Sequence, residues 1–374
     1  MKKETILQYQ PYINKEDTKA ISDYLMGGGF ITEYKKTWEF ESQLSKFCNS
    51  KEAILYPNGT LTLFAIMKCL GIGQRDEVIV PNYTMAATAF SVTETGANVV
   101  FCDIEKDTLC ISLDEIKKIC SKNKSRIKAI IFMSANGRYP SYPIEELKDY
   151  CCKKSILLIE DSAQALGSYY LTGEHIGTLG IAGSFSFSMP KIITTGQGGF
   201  IVSNDETISK KLRNYKDFGR SNGGGSDDHE SIGLNLKFTD LQAVLGISQF
   251  KRIKEIMTIK KNNYLLIRNQ VKNDFLSIIQ NDTRYTTPWF YEVLCPFRDE
   301  LINHLNTYQI CSRKMYPELN KQKAYKSHPQ NKTTFPNSQL TSQNGLWIPS
   351  HPLLTKENLN RIIEALNSFR PLKI

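Results

Sequence analysis

The stretch AILYPNGTLTLFAIMKCLGIGQRDEVIVPNYTMAATAFSVTETGANVVFCDI occupies positions 53–104. It holds three short apolar runs, AILY (53–56), EVIVP (77–81) and NVVFCDI (98–104), and a helix-length segment, LTLFAIMKCL (61–70). The runs are rich in Val, Ile and Phe and are bounded by Gly, Pro, Asn or Asp, which is how buried strands read. The alternation continues through IKAIIFM (127–133), SILLIED (155–161), AGSFSFS (182–188) and GGFIVSN (198–204), with helical LDEIKKICSK (113–122) and IEELKDYCCKK (144–154) between. Apolar strands alternating with helices predict an α/β fold, a mostly parallel sheet covered on both faces. Ligands on such sheets bind at the carboxyl ends of the strands.

After Asp205 the pattern changes. SKKLRNYKDFG (209–219) reads as a helix, SNGGGSDDHES (221–231) as a mobile loop, and 239–271 as one long helical stretch with Thr239 or Asp240 as N-cap. The tail from about Leu276 has shorter elements rich in Asn, Gln and Lys. With 374 residues, more than one hydrophobic core is the default. The expected division is a large domain over 1–250, N-terminal segment included, and a smaller C-terminal α+β domain over 251–374.

Apolar residues make up 41% and charged residues 23%, so most of the chain has the apolar surface that folding requires. No run of about 18 uncharged apolar residues offers a membrane span. The opening MKKETILQYQ has no apolar core of a secretory signal. Nine cysteines, an odd count without a C-x-x-C, argue for reduced thiols, a cytoplasmic location and no zinc site. The net charge of +9 suits an anionic partner. Basic residues are scattered and carry no nucleic-acid-binding signature, which favours a small phosphorylated ligand over nucleic acid.

Lys191 stands in SFSFSMPKIITTGQGG (184–199), beyond a strand expected to be buried. Burial lowers a lysine's pKa and makes its amine a nucleophile; the plainer alternative is a lysine reaching out to water. Asp161 closes the strand LLIED, where an acid points into the ligand crevice. It could keep a pyridinium nitrogen protonated, as pyridoxal phosphate requires, or simply cap a helix. Gln164 could cap the same turn or bond the cofactor's phenolic oxygen. Gly59 and Thr60 open a helix, whose free N–H groups suit a phosphate, and the Ser186 hydroxyl could reach the same group.

These stretches resemble the DegT/DnrJ/EryC1/StrS family, the pyridoxal-phosphate-dependent sugar aminotransferases of fold type I. The resemblance runs from about Thr32 to His351. It is carried by PNGTLTL (57–63), GIGQRDEVIVPNYTMAATAFSV (71–92), GANVVFCDI (96–104), IEDSAQALGS (159–168), the SFSFS…K…TTGQGG block (184–199) and GLNLKFTDLQAVLGISQ (233–249). The Lys block and the EDSAQ block together are highly specific.

The resemblance implies that Lys191 bonds the cofactor covalently and shuttles the substrate proton. It implies that Asp161 pairs with the pyridine nitrogen, with Gln164 near the phenolic oxygen. Gly59, Thr60 and Ser186 match phosphate-binding positions. Asn235 matches an asparagine that reaches the phosphate from a partner subunit, which implies a homodimer with shared active sites. Met85 stands where many members stack an aromatic on the ring; a thioether can also pack on a π-face. Thr32, beside Gly28, Phe30 and Ile31, belongs to a segment similar to the family's entry loop. Asn136, Arg138, Arg313 and His351 are expected to line the substrate cleft.

The implied reaction moves an amino group from L-glutamate to a nucleoside-diphosphate 4-keto-6-deoxyhexose, giving a 4-amino-4,6-dideoxy sugar of the viosamine or perosamine kind. Relatives that act as 3-dehydratases carry histidine in place of the lysine, so Lys191 favours amino transfer. The alternatives are a 3-aminotransferase, a non-catalytic cofactor-binding regulator and another fold-type-I enzyme. The choice among UDP, dTDP and GDP is left open.

Overall fold

A computed structural model describes residues 4–122, 127–221 and 227–372. All seven strands expected in the first part form: β1 Glu52–Tyr56, β2 Glu77–Pro81, β3 Asn98–Cys102, β4 Ile127–Met133, β5 Leu157–Asp161, β6 Ala182–Ser186 and β7 Gly199–Ser203. They make one sheet in the order β1-β7-β6-β5-β4-β2-β3. From β3 to β6 the neighbours are parallel, and β7 runs antiparallel to both β6 and β1.

The alternation of side chains along each strand explains why these runs are apolar over most of their length. Ile54, Val78, Val80, Ile131, Ile159 and Ile201 face one core. On the other side, Ile79, Ile130, Phe132 and Leu158 pack under the helices Leu113–Lys122 and Ile144–Lys154, and Leu55, Phe200 and Val202 pack under the helix Lys35–Cys48. Each fully buried side chain of this size contributes about 1.5–3 kcal/mol before chain entropy is charged against it.

The helix expected from Leu61 begins two residues earlier, at Gly59, because the Asn58 side chain accepts the Leu61 N–H at 2.9 Å. The helix expected over 209–219 spans Glu206–Lys216, capped by Asp205. The stretch 239–271 divides into Asp240–Lys251 and Ile253–Gln270, with Thr239 as N-cap and Arg252 between the two. Packing sets the break. Ser248, Gln249 and Arg252 converge on the buried Asp17 carboxylate at 2.6–2.7 Å, while Ile253 and Ile256 turn into the core of the large sheet. Of the loop expected over 221–231, positions 222–226 lie outside the described residues.

A second sheet is antiparallel: β8 Ser277–Ile278, β9 Tyr291–Leu294, β10 Arg313–Lys314 and β11 Gly345–Ile348, in the order β10-β11-β9-β8. Its core takes in Tyr264 and Ile267 from the helix Ile253–Gln270, together with Ile6 from the N-terminal segment. One helix therefore serves both cores. We propose that the domain division falls within that helix, between Ile256 and Tyr264 and so somewhat beyond the expected boundary at 250, with the segment around Ile6 counted with the second unit. No helix among the described residues is long and apolar enough to cross a membrane.

Asp240 joins the N-terminal helices to this frame. Its buried carboxylate accepts from Tyr24 Oη, the backbone N–H groups of Tyr34, Lys36 and Thr37, and Thr37 Oγ1, at 2.7–3.0 Å. Burial opposes ionisation, but the bonds from Thr37, Lys36 and Tyr34 outweigh it and hold the carboxyl below its usual range. A lowered folded-state pKa stabilises the fold above the unfolded value, about 4, and that contribution is lost as pH falls through the folded value. Asp240→Ala is expected to cost about 3 kcal/mol in urea unfolding at pH 7. The difference from wild type should shrink below about pH 4.

Candidate active site

The carboxyl ends of β5 and β6 lie at one edge of the sheet. The end of β1 joins them, because two antiparallel pairings bring it back parallel to β6. A pocket of about 310 Å³ opens there. Gly59, Thr60, Met85, Asp161, Gln164, Ser186, Lys191 and Arg313, all expected site residues, line it.

Asp161 ends β5 and is buried. Its Oδ2 accepts from Thr88 Oγ1 at 2.6 Å and its Oδ1 from the Ala163 N–H at 3.2 Å. Because Thr88 donates to the carboxylate, its oxygen is left to accept from Thr84 Oγ1 at 2.9 Å. Burial pushes the Asp161 carboxyl above its usual range, against these bonds and the nearby Lys191 charge. No helix begins at this turn, so Asp161 is not a helix cap.

Lys191 lies in the loop after β6. Burial lowers its amine to about 8, with Asp161 pulling the other way. The lysine backbone is held at both ends: its N–H donates to Ser188 O at 3.0 Å and its carbonyl accepts from Tyr9 Oη at 3.0 Å. The amine and the carboxyl thus face one pocket, each shifted by burial toward its neutral form.

Gly59 and Thr60 begin the helix Gly59–Cys69, where the first N–H groups have no intrahelical acceptor. A Cβ at position 59 would sit 3.0 Å from Ser186 Cβ, a tight contact that glycine avoids where the helix end approaches that strand. Ser186 Oγ accepts the Ser188 N–H at 3.3 Å. N–H groups and hydroxyls converge here on a cradle suited to an anion.

Three expected substrate residues stand outside the pocket lining. Asn136 is buried and bonds the backbone of Phe290 in both directions, at 2.6 and 2.9 Å, and Glu292 at 3.0 Å. Arg138 is buried in an ion pair with Glu292 and donates to the carbonyls of Gln280, Thr108 and Ala135. Both tie the large sheet to β9 instead of facing a ligand. His351 is buried outside the pocket lining, and burial and the Lys260 charge lower its ring to about 4.

Two other residues lie outside the pocket of their own chain. Thr32 is exposed, with its carbonyl accepting from the Asp240 N–H at 3.1 Å. Asn235 is exposed and bridges to Asp217. Sequence reading missed Thr84, Thr88, Trp289 and Tyr316. The i, i+4 threonines in YTMAAT were a usable signal for the first two, and Tyr316 is three residues from Arg313. Trp289, 98 positions from Lys191, left no local signal.

A model of the DegT/DnrJ/EryC1/StrS aminotransferase family matches residues 11–367. The chain belongs to this family. The GDP-perosamine synthase of Vibrio cholerae is 29% identical to this family member, over 96% of this chain and 98% of its own. The UDP-4-amino-4,6-dideoxy-N-acetyl-beta-L-altrosamine transaminase of Helicobacter pylori is 28% identical, over 79% of this chain and 74% of its own. A PLP-form structure of a protein described as a sugar aminotransferase from Streptococcus pneumoniae superposes with a TM-score of 0.87 at 25% identity, over 98% and 97% of the two chains. The DegT-family fold and the sugar aminotransferase class are thereby established for this chain.

Asp161 makes a prediction about stability. Its folded-state pKa lies above the unfolded value, so folding favours the protonated acid, and stability falls as pH rises between the two values. Without cofactor, Asp161→Asn should therefore raise the urea midpoint at pH 7. The gain should shrink as pH approaches about 4, where the unfolded carboxyl also binds its proton.

Proposed function

We propose that this enzyme is a pyridoxal-phosphate-dependent aminotransferase. It moves the amino group of L-glutamate to C4 of a nucleoside-diphosphate 4-keto-6-deoxyhexose, giving a 4-amino-4,6-dideoxy sugar of the perosamine kind. The observation that carries the reading is one pocket holding an amine lowered to about 8, a buried carboxylate and an anion cradle at a helix N-terminus. These residues fit a phosphorylated pyridine aldehyde: Lys191 at the aldehyde, Asp161 at the ring nitrogen, and Gly59, Thr60 and Ser186 at the phosphate. The C4 assignment is supported by the names of the Vibrio and Helicobacter relatives.

When bound, pyridoxal phosphate supplies an electron sink for the charge left when a carbon beside the amino nitrogen loses its proton. The protein supplies the rest. Lys191 Nζ takes that proton and returns it, a task suited to an amine that titrates near the operating pH. Asp161 places its negative charge where a ring N–H⁺ needs it, and Thr88 fixes its orientation. Met85 and Ala87 line the pocket, and Arg313 offers a cation to an anionic substrate.

A homodimer completes the reading. Exposed Phe30, Ile31, Tyr34 and Trp38 form one apolar stretch, and Ile232 and Leu234 form another beside Asn235. Such surfaces suit a two-fold interface.

Three outcomes are expected. Among GDP-, UDP- and dTDP-linked 4-keto-6-deoxyhexoses supplied with glutamate, at least one should yield a 4-amino product by mass spectrometry and NMR; no product from any of them, or turnover only of 3-keto isomers assayed in parallel, contradicts the assignment. Lys191→Ala should lower turnover about 100- to 10,000-fold and abolish borohydride-trappable attachment. Under subunit exchange, inactive Lys191→Ala and Asn235→Asp chains should together regain activity, because one shared site is then free of both lesions. No recovery despite proven exchange would mean that Asn235 serves its own chain.

A further inference from the structure

Trp289 is buried in the segment leading into β9 and reaches across to the lysine loop. Its ring centroid lies 4.1 Å from Lys191 Nζ. Its Nε1–H donates at 2.5 Å to the carbonyl of Pro190, the residue just before the lysine. The indole is itself fixed. It stacks on Phe290 at 3.8 Å and 22°, and meets Trp347 edge-on at 5.8 Å and 67°. Phe290 is in turn held by the two backbone bonds to Asn136.

We propose that Trp289 is a positioning residue for Lys191, its indole face holding the amine over the pocket and its N–H anchoring the peptide that carries it. The rigid second sheet thereby sets the aim of a lysine on the first. This reaches beyond the assigned pocket roles, although it rests on the reading of Lys191 as the cofactor lysine.

An aromatic face attracts an ammonium and not a neutral amine. Trp289 therefore favours the charged form of Lys191, while burial favours the neutral one. The other charged or titratable groups lining the pocket are Asp161, Arg313 and Tyr316; the last two lean on Trp347, which Trp289 meets edge-on, so the Phe variant, which keeps an aromatic ring there, is the control for their placement. Leucine at 289 would keep the wall apolar and remove the face, so the amine should lose its proton at lower pH. Phenylalanine keeps a weaker face and should shift it less.

The test uses the full chain loaded with pyridoxamine phosphate, in which the Lys191 amine is free. Acylation of Lys191 by acetic anhydride is followed against pH by peptide mass spectrometry. Relative to wild type, the midpoint should fall by about half a pH unit or more in Trp289→Leu and by less in Trp289→Phe. Thermal unfolding of each variant reports whether the fold survives. If Trp289→Leu does not fold, the Phe variant decides by the direction of its shift. A midpoint unchanged or raised in folded variants overturns the proposal. Borohydride trapping on wild type and Lys191→Ala, read separately, would show instead that the assignment of Lys191 had failed.

Discussion

The site depends on one electrostatic imbalance: a carboxylate, Asp161, buried at the end of a central strand without a full counter-charge. Thr88 and Ala163 donate to it and Lys191 lies close enough to help, yet its carboxyl still sits above the usual range. Charge burial on that scale costs the folded chain stability. A site that accepts this cost is prepared for a cation, and the ring nitrogen of a protonated pyridine is the one the proposed chemistry supplies. Lys191 is the complement. The burial that raises the acid lowers the amine, so both groups of one pocket are displaced toward neutrality.

The sheet makes this arrangement possible. Parallel β5 and β6 set Asp161 and Ser186 on one edge, and the reversal through β7 returns β1 so that Gly59 and Thr60 open their helix beside Ser186. The second sheet closes the pocket. The Arg138–Glu292–Asn136 network joins it to the first, and through it Trp289, Arg313 and Tyr316 reach a site whose other residues come from the large sheet. Arg138 and Asn136 are therefore architectural. They are buried in this network and stand outside the pocket lining.

What was legible in the sequence follows the same division. Strands buried on both faces are apolar along most of their length, so all seven were visible as runs. The pocket residues at their carboxyl ends could be read because strand ends are fixed by the strands themselves. The break at Arg252 could not, since nothing in 239–271 interrupts helical spacing and the cause is Asp17, more than two hundred positions away. The placement of Asn136 and Arg138 away from the pocket could not be read for a related reason. A polar pair after a strand end looks like a ligand site until the partner sheet that consumes its hydrogen bonds is in place. Trp289 is the converse case, an ordinary aromatic in sequence that only the packing of two sheets brings to the lysine.

The most direct measurement is the protonation state of the ring nitrogen in the loaded enzyme. It is read by NMR on protein reconstituted with pyridoxal phosphate isotope-labelled at that atom. If Asp161 is buried to meet a cation, the nitrogen should be protonated in wild type at neutral pH and unprotonated in Asp161→Asn. An unprotonated nitrogen in wild type, or no difference between the two proteins, would contradict the role assigned to the buried carboxylate.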